Sequence, residues 1–280
     1  MLLGFHHVTA FAGDAQRNLD FYRGLPGLHL VKRTVNFDDP ARHHFYFGDA
    51  RGTPGTLLTF FPWPSAPASP PGSGQIANFT LAVSEEFMEE MDGIEQERFG
   101  ERWTSFRDPA GLEIELVARD PDATRLHSLT LREADPKPTV QFLTVLGFSC
   151  VGVEQDRTRM RLAHADQDTL IDIVHTPGLE RRRLSAGRVH HVAFRAAEDA
   201  AQEAWREKLK QAGARVTRVI DRRYFHSIYF REPGGALFEI ATDGPGFFVD
   251  ETELGSGLRL PPWLDTVRES IERRLPAVKI

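Results

Sequence analysis

The chain has 280 residues, enough to bury a large core in one or two domains. Its hydrophobic and charged fractions, 41% and 26%, are ordinary for a soluble globular protein, and a net charge of −6 gives nucleic acid no electrostatic foothold. Cys150 is the only cysteine, which excludes an intrachain disulfide; no stretch has the length of a transmembrane helix, and Met1 to His6 lacks the basic start of a signal peptide, so a cytoplasmic setting is expected.

Four similar units follow one another, each opening with a strand and continuing into a helix and further strands. The first, residues 1–62, reads as strand His6–Phe11, helix Asp14–Arg23 capped by Asp14 and ended by Gly24 and Gly27, then strands Leu28–Asn36, His43–Phe47 and Thr56–Phe60. Residues 63–74 are rich in Pro, Ser and Gly and read as a linker. The second unit, 75–120, has strand Ile76–Val83, a helix that starts at Ser84 and runs through mixed apolar and acidic residues to Gln96, and strands Trp103–Arg107 and Leu112–Val117. The third, 121–180, has strand Arg125–Leu131, helix Lys137–Leu146 and strands Ser149–Val153, Thr158–Ala163 and Thr169–Val174, with Cys150 expected as a small buried apolar side chain. The fourth, 181–245, starts with Arg181-Arg182-Arg183, read as a solvated loop with an anion-binding role as the lesser alternative. Strand Arg188–Arg195 follows, then helix Glu198–Ala212 with Ala201, Trp205 and Leu209 on one face, then three strands ending in Leu237–Ala241. Residues 246–280 form an extension with a helix over Trp263–Leu275 that covers a sheet face or a partner.

Two short runs recur. Phe5-His6-His7-Val8-Thr9-Ala10 returns as Val189-His190-His191-Val192-Ala193-Phe194, and the run from Phe106 to Leu116 returns from Phe230 to Ile240 so that Glu115 falls on Glu239. Side chains alternate along a strand, so His7 and Thr9 should share one face and His6 and Val8 the other. Two imidazoles and one carboxylate make up an open facial set suited to iron(II), and the same ligands admit zinc, manganese or nickel. In the middle units His127, Glu115 and Asp172 fall near equivalent places, yet Asn78-Phe79-Thr80 stands where a His is needed, which reads as a structural remnant of a site.

This fourfold pattern resembles the vicinal oxygen chelate superfamily of glyoxalases, bleomycin-resistance proteins and extradiol dioxygenases. The resemblance implies an α+β fold of four βαβββ modules paired into two domains, each a curved mixed sheet with flanking helices. Longer motifs are similar to the hydroquinone-type ring-cleaving dioxygenases: His6-His7-Val8-Thr9, Leu30 through Asp38, Gly52-Thr53-Pro54-Gly55-Thr56, and the tail from Gly246 through Pro261-Pro262-Trp263. That family implies His7, His191 and Glu239 as metal ligands and iron(II) as cofactor, with Mn(II) or Zn(II) as alternatives. It further implies His190 as an acid/base, Tyr229 and His6 as further catalytic groups, and Thr9 and Arg222 as substrate contacts, Arg223 lying one residue from Arg222. The expected partners are a small aromatic diol and dioxygen, with no nucleic acid or membrane, and a homo-oligomer is expected. The expected reaction opens the ring of a substituted hydroquinone beside a hydroxyl-bearing carbon, within walls of Phe and Leu. Two other readings compete: a glyoxalase-like lyase or isomerase, and a non-catalytic protein that sequesters small aromatics.

Overall fold

The computed structural model describes residues 1–66, 69–119, 124–165, 167–181 and 185–280. The first unit forms β1 (Phe5–Ala12), α1 (Ala15–Arg23), β2 (His29–Asn36), β3 (Asp39–Gly48) and β4 (Leu57–Pro62). The second forms β5 (Gln75–Val83), α2 (Glu85–Glu90), β6 (Ile94–Arg98), β7 (Glu101–Arg107) and β8 (Glu113–Ala118). The third forms β9 (Arg125–Glu133), α3 (Lys137–Val145), β10 (Phe148–Glu154), β11 (Arg157–Leu162) and β12 (Leu170–His175). The fourth forms β13 (Arg188–Ala196), α4 (Asp199–Gln211), β14 (Ile220–Asp221), β15 (Phe225–Arg231) and β16 (Leu237–Pro245). Two 3-10 turns, Phe247–Val249 and Pro262–Val267, lead to α5 (Arg268–Arg274).

Units far apart in the chain pair with one another. One eight-stranded sheet has the order β14-β15-β16-β13-β1-β4-β3-β2, joining the first unit to the fourth. The other has the order β10-β11-β12-β9-β5-β8-β7-β6, joining the third to the second. At each centre an antiparallel pair, β1 with β13 and β5 with β9, is flanked by parallel neighbours. Every unit therefore begins on a central strand, and the repeated His runs face each other across one sheet. Val8, Ala10, Phe194, Phe79 and Leu129 belong to a single apolar core that spans both sheets.

The two expected N-caps form: the Asp14 carboxylate accepts from the Arg17 amide at 2.9 Å, and Ser84 Oγ accepts from the Phe87 amide at 3.2 Å. Three expectations are corrected. The helix expected from Ser84 to Gln96 stops at Glu90, and Ile94–Arg98 is instead an edge strand paired with β7. Gly93 makes that switch: a Cβ there would lie 2.5 Å from Thr104 Cγ2 and 2.8 Å from the Ser105 carbonyl, so only glycine lets the chain run this close to β7. The terminal helix expected over Trp263–Leu275 is instead a 3-10 turn, Pro262–Val267, followed by the shorter α5. Cys150 is exposed rather than buried, because β10 is the outermost strand of its sheet and Cys150 has no layer over it. Arg182 and Arg183 lie outside the described residues.

The extension is held by Lys32 on β2, whose side chain is fully buried. Lys32 Nζ donates to Asp250 Oδ1 at 2.8 Å and to the Phe247 carbonyl at 3.0 Å, and it pairs with Glu251.

Candidate metal centre

Both His pairs stand on irregularities in the β1–β13 ladder. Phe5 pairs with Phe194 and His7 with Ala193, so His6 is an extra residue on β1; Thr9 pairs with His191 and Ala10 with Val189, so His190 is an extra residue on β13. A bulge re-aims side chains that strict alternation would send to opposite faces. The expected separation of His6 from His7 accordingly does not hold. The two rings meet edge to face, with Nδ1 to Nδ1 at 2.9 Å, and His190 meets His191 in the same way at 2.7 Å.

With their Nδ1 atoms engaged, both inner rings turn Nε2 toward one point. His7 Nε2 lies 3.1 Å from His191 Nε2, and Glu239 Oε2 lies 2.9 Å from His191 Nε2 and 3.4 Å from His7 Nε2. Glu239 reaches this point because β16 runs beside β13 with Glu239 opposite Ala193, and its other oxygen accepts from Ser227 Oγ. All three side chains are buried, and among the described residues only the two imidazoles approach Oε2. Metal–ligand bonds of about 2.1 Å at right angles place neighbouring donor atoms about 3.0 Å apart, so the spacing suits three ligands on one face of an ion. Among the described residues this is the one cluster of three such groups.

Electrostatics keep the surroundings neutral. Burial, reinforced by His7, holds His6 well below the usual histidine range. Burial and then His191 bring His190 down to about 3. For Glu239, burial alone would raise the carboxyl, but His7 and His191 more than offset it and hold it well below the usual range. His6 also hydrogen-bonds the backbone of Thr242.

His7 and His191 line a cavity of about 240 Å³, and Glu239 is buried beneath them. Phe11, Phe37, Phe61 and Phe225 line the cavity; among the described residues no leucine does, so its apolar wall is built of Phe without the expected Leu. Thr9, His190, Arg222 and Tyr229, all singled out in the sequence, line it too. Arg222 is the arginine that turns inward: Nε donates to Tyr229 Oη at 3.1 Å and Nη1 to Asp38 Oδ2 at 3.0 Å, while Arg223 lies 3.6 Å from Asp250. His6 lies behind His7 and is not part of the lining.

Sequence reasoning missed His44. It lines the cavity from β3, between Tyr46 and Phe61, with Nε2 at 2.9 Å from Thr59 Oγ1, which in turn lies 2.7 Å from Thr9 Oγ1. His43-His44 is also a His pair, but no second copy marked it; only the folded ladder, with His44 opposite Thr34 on β2, sets it beside the cavity.

The second sheet shows what became of the equivalent place. By register Glu115 opposite Thr80 matches Glu239 opposite Ala193, Ser128 matches His7 and Asn78 matches His191. His127 is the extra residue that matches His6, and among the described residues neither ring nitrogen has a hydrogen-bond partner. The guanidinium of Arg98 fills the space, bonding both oxygens of Glu115. Asp172 is bound by Arg157 and Arg159. The remnant expected here is thus an ion-pair cluster.

A bulged His pair on each of two central strands, with a carboxylate beside them on a curved mixed sheet, makes a candidate metal site on a fold built from βαβββ repeats. The chain belongs to the Glyoxalase/Bleomycin resistance protein/Dioxygenase superfamily, whose profile matches residues 4–116 and 125–240. It is 41% identical over 300 residues to a Bacillus subtilis protein named "Putative ring-cleaving dioxygenase MhqO", covering 98% of this chain and 96% of the relative. It is 32% identical over 312 residues to the chlorohydroquinone/hydroquinone 1,2-dioxygenase of Sphingobium indicum, covering 97% and 95%. A crystal structure of a "putative dioxygenase" from Bacillus subtilis superimposes with a TM-score of 0.93 at 40% identity, covering 99% of this chain and 98% of the other.

Proposed function

We propose that this chain is an iron(II)-dependent dioxygenase that opens the ring of substituted hydroquinones with dioxygen. The observation that carries the reading is the convergence of His7 Nε2, His191 Nε2 and Glu239 Oε2 beneath an aromatic-walled cavity of about 240 Å³. Kinship along nearly the whole chain with proteins named ring-cleaving dioxygenases supports it. A cavity of this size suits one small ring. Manganese fits the same donors and keeps as many open positions as iron; zinc also accepts two His and one Glu, but leaves fewer positions for a diol and dioxygen together.

Bound there, the metal would acidify a coordinated hydroxyl and bring the diol and oxygen together. The chain's own groups do the rest. With His7 Nε2 committed as a ligand, its Nδ1–H donates to His6 Nδ1, and His6 Nε2–H donates to the Thr242 carbonyl. The same logic puts a proton on His190 Nε2, so His190 acts as a neutral donor to a substrate oxygen in the cavity. His44 keeps Nδ1 without a protein partner among the described residues and serves as the exchangeable proton site. Arg222 fixes the Tyr229 hydroxyl over the cavity, and Phe61 and Phe225 exclude water from the ring.

Oxygen uptake by anaerobically iron-loaded protein tests the reading, with methyl- and chlorohydroquinone beside catechol and the glutathione hemithioacetal of methylglyoxal. Fast uptake with a hydroquinone and loss of its ultraviolet band are expected. Turnover of the hemithioacetal with no uptake on any diol would sink the proposal in favour of a glyoxalase-like lyase. The same proposal includes a cytoplasmic setting and a homo-oligomer; exposed Phe248, Trp263 and Val267 support self-association, which light scattering reads directly.

A further inference from the structure

A second, larger cavity of about 460 Å³ lies against the first and shares Phe11 and His190 with it. Its body is apolar, with Trp63 and Leu237 among its walls, and its rim carries Arg181 and Arg231. Both guanidiniums are held by carbonyls: Arg181 Nη2 donates to the Pro233 carbonyl at 3.3 Å and Arg231 Nη1 to the Gly235 carbonyl at 2.6 Å. Neither has an ion-pair partner within 4.0 Å among the described residues, in a chain whose net charge is −6. Glu133, packed against Gly234, is an acid within electrostatic reach of Arg181. Burial and then Glu232 push its carboxyl up to about 8, so at neutral pH it is mostly protonated and leaves the guanidinium charge uncancelled.

We infer that this cavity is a product vestibule, which takes the carboxylate of the ring-opened acid between Arg181 and Arg231 and its carbon chain against Trp63. The identity of the ligand rests on the proposed reaction. Diol and product differ in charge: an uncharged hydroquinone has no use for two guanidiniums, whereas the opened acid does. The shared wall at His190 gives that acid a neighbouring place to go, so the metal cavity empties toward positive charge. The anion-binding alternative read at the start of the Arg181 run thus returns, with Arg231 as its second arm.

Calorimetric titration of anaerobic iron-loaded protein with cis,cis-muconate, a six-carbon unsaturated diacid, tests this beside inorganic phosphate and the Arg181→Gln/Arg231→Gln variant. Muconate is expected to bind at least about tenfold more tightly than phosphate, and to lose about tenfold or more in the variant. Unchanged muconate affinity in a variant that keeps its melting temperature overturns the assignment, as does phosphate binding equally well. If the double variant melts early, Arg231→Gln alone is expected to weaken muconate severalfold; no change there also overturns it. Should no diol support oxygen uptake while muconate still binds through these arginines, the ring-opening reading falls and the anion site stands.

Discussion

Each imidazole of the proposed ligand set is engaged at Nδ1 by its own chain neighbour, and on that proposal the outer histidines take part in metal retention. Replacing His190 with Ala removes the acceptor for His191 Nδ1–H, and metal affinity is expected to fall about 10–100-fold, read by competition with a chelator. His7→Ala, His191→Ala or Glu239→Ala should abolish stoichiometric metal, and a variant that keeps it would strike that residue from the ligand set. His127, the counterpart of His6 in the other sheet, gives a different test. Burial, with Arg119 next, brings it down to about 4, so it is neutral in the fold while the unfolded chain takes a proton near 6.5. Its contribution is therefore intact above about 6.5 and is lost as pH falls toward 4, by up to about 3 kcal/mol. His127→Phe should flatten denaturant stability between pH 7 and 4; an unchanged slope would show that this histidine does not titrate with folding.

At the scale of elements, Lys32 ties β2 to the extension through Asp250, Glu251 and a carbonyl. Lys32→Met removes the ammonium from Glu251, which keeps Arg259 and the Gly255 amide, and a loss of about 1–3 kcal/mol is expected in chemical denaturation. What the sequence made legible follows from range. The caps at Asp14 and Ser84 and the helix Asp199–Gln211 rest on neighbours in the chain and were readable. The strand Ile94–Arg98 was not, since its partner on β7 and the tight passage at Gly93 are tertiary facts. At the site, His7, His191 and Glu239 were readable because they recur in matched runs. The bulges that turn His6 and His190 toward them were not, because a bulge shows only when two strands are laid in register. His44 carried no repeat to mark it.

For the whole molecule, the pairing of first unit with fourth and second with third makes each sheet depend on contacts distant in sequence. The two sheets balance their central carboxylates differently, Glu239 facing imidazoles and Glu115 facing Arg98. Removing metal should therefore loosen one sheet only. Hydrogen exchange is expected to quicken in β1, β13 and β16 of the metal-free protein and to stay slow in β5, β8 and β9. Equal acceleration in both sheets would show that the ion stabilises the molecule through the shared core instead.

Arg98 bears on the history of such sites as well as their chemistry. A guanidinium on a backbone tether cannot be chelated, oxidised or washed away, whereas a metal ion can. Built from equivalent strands, the two sheets are alternative answers to one buried negative charge: on the proposed reading a renewable ion that can react, and in the other sheet a tethered cation that cannot. Returning histidines to positions 78 and 128 while shortening Arg98 would ask whether the silent half still remembers the first answer.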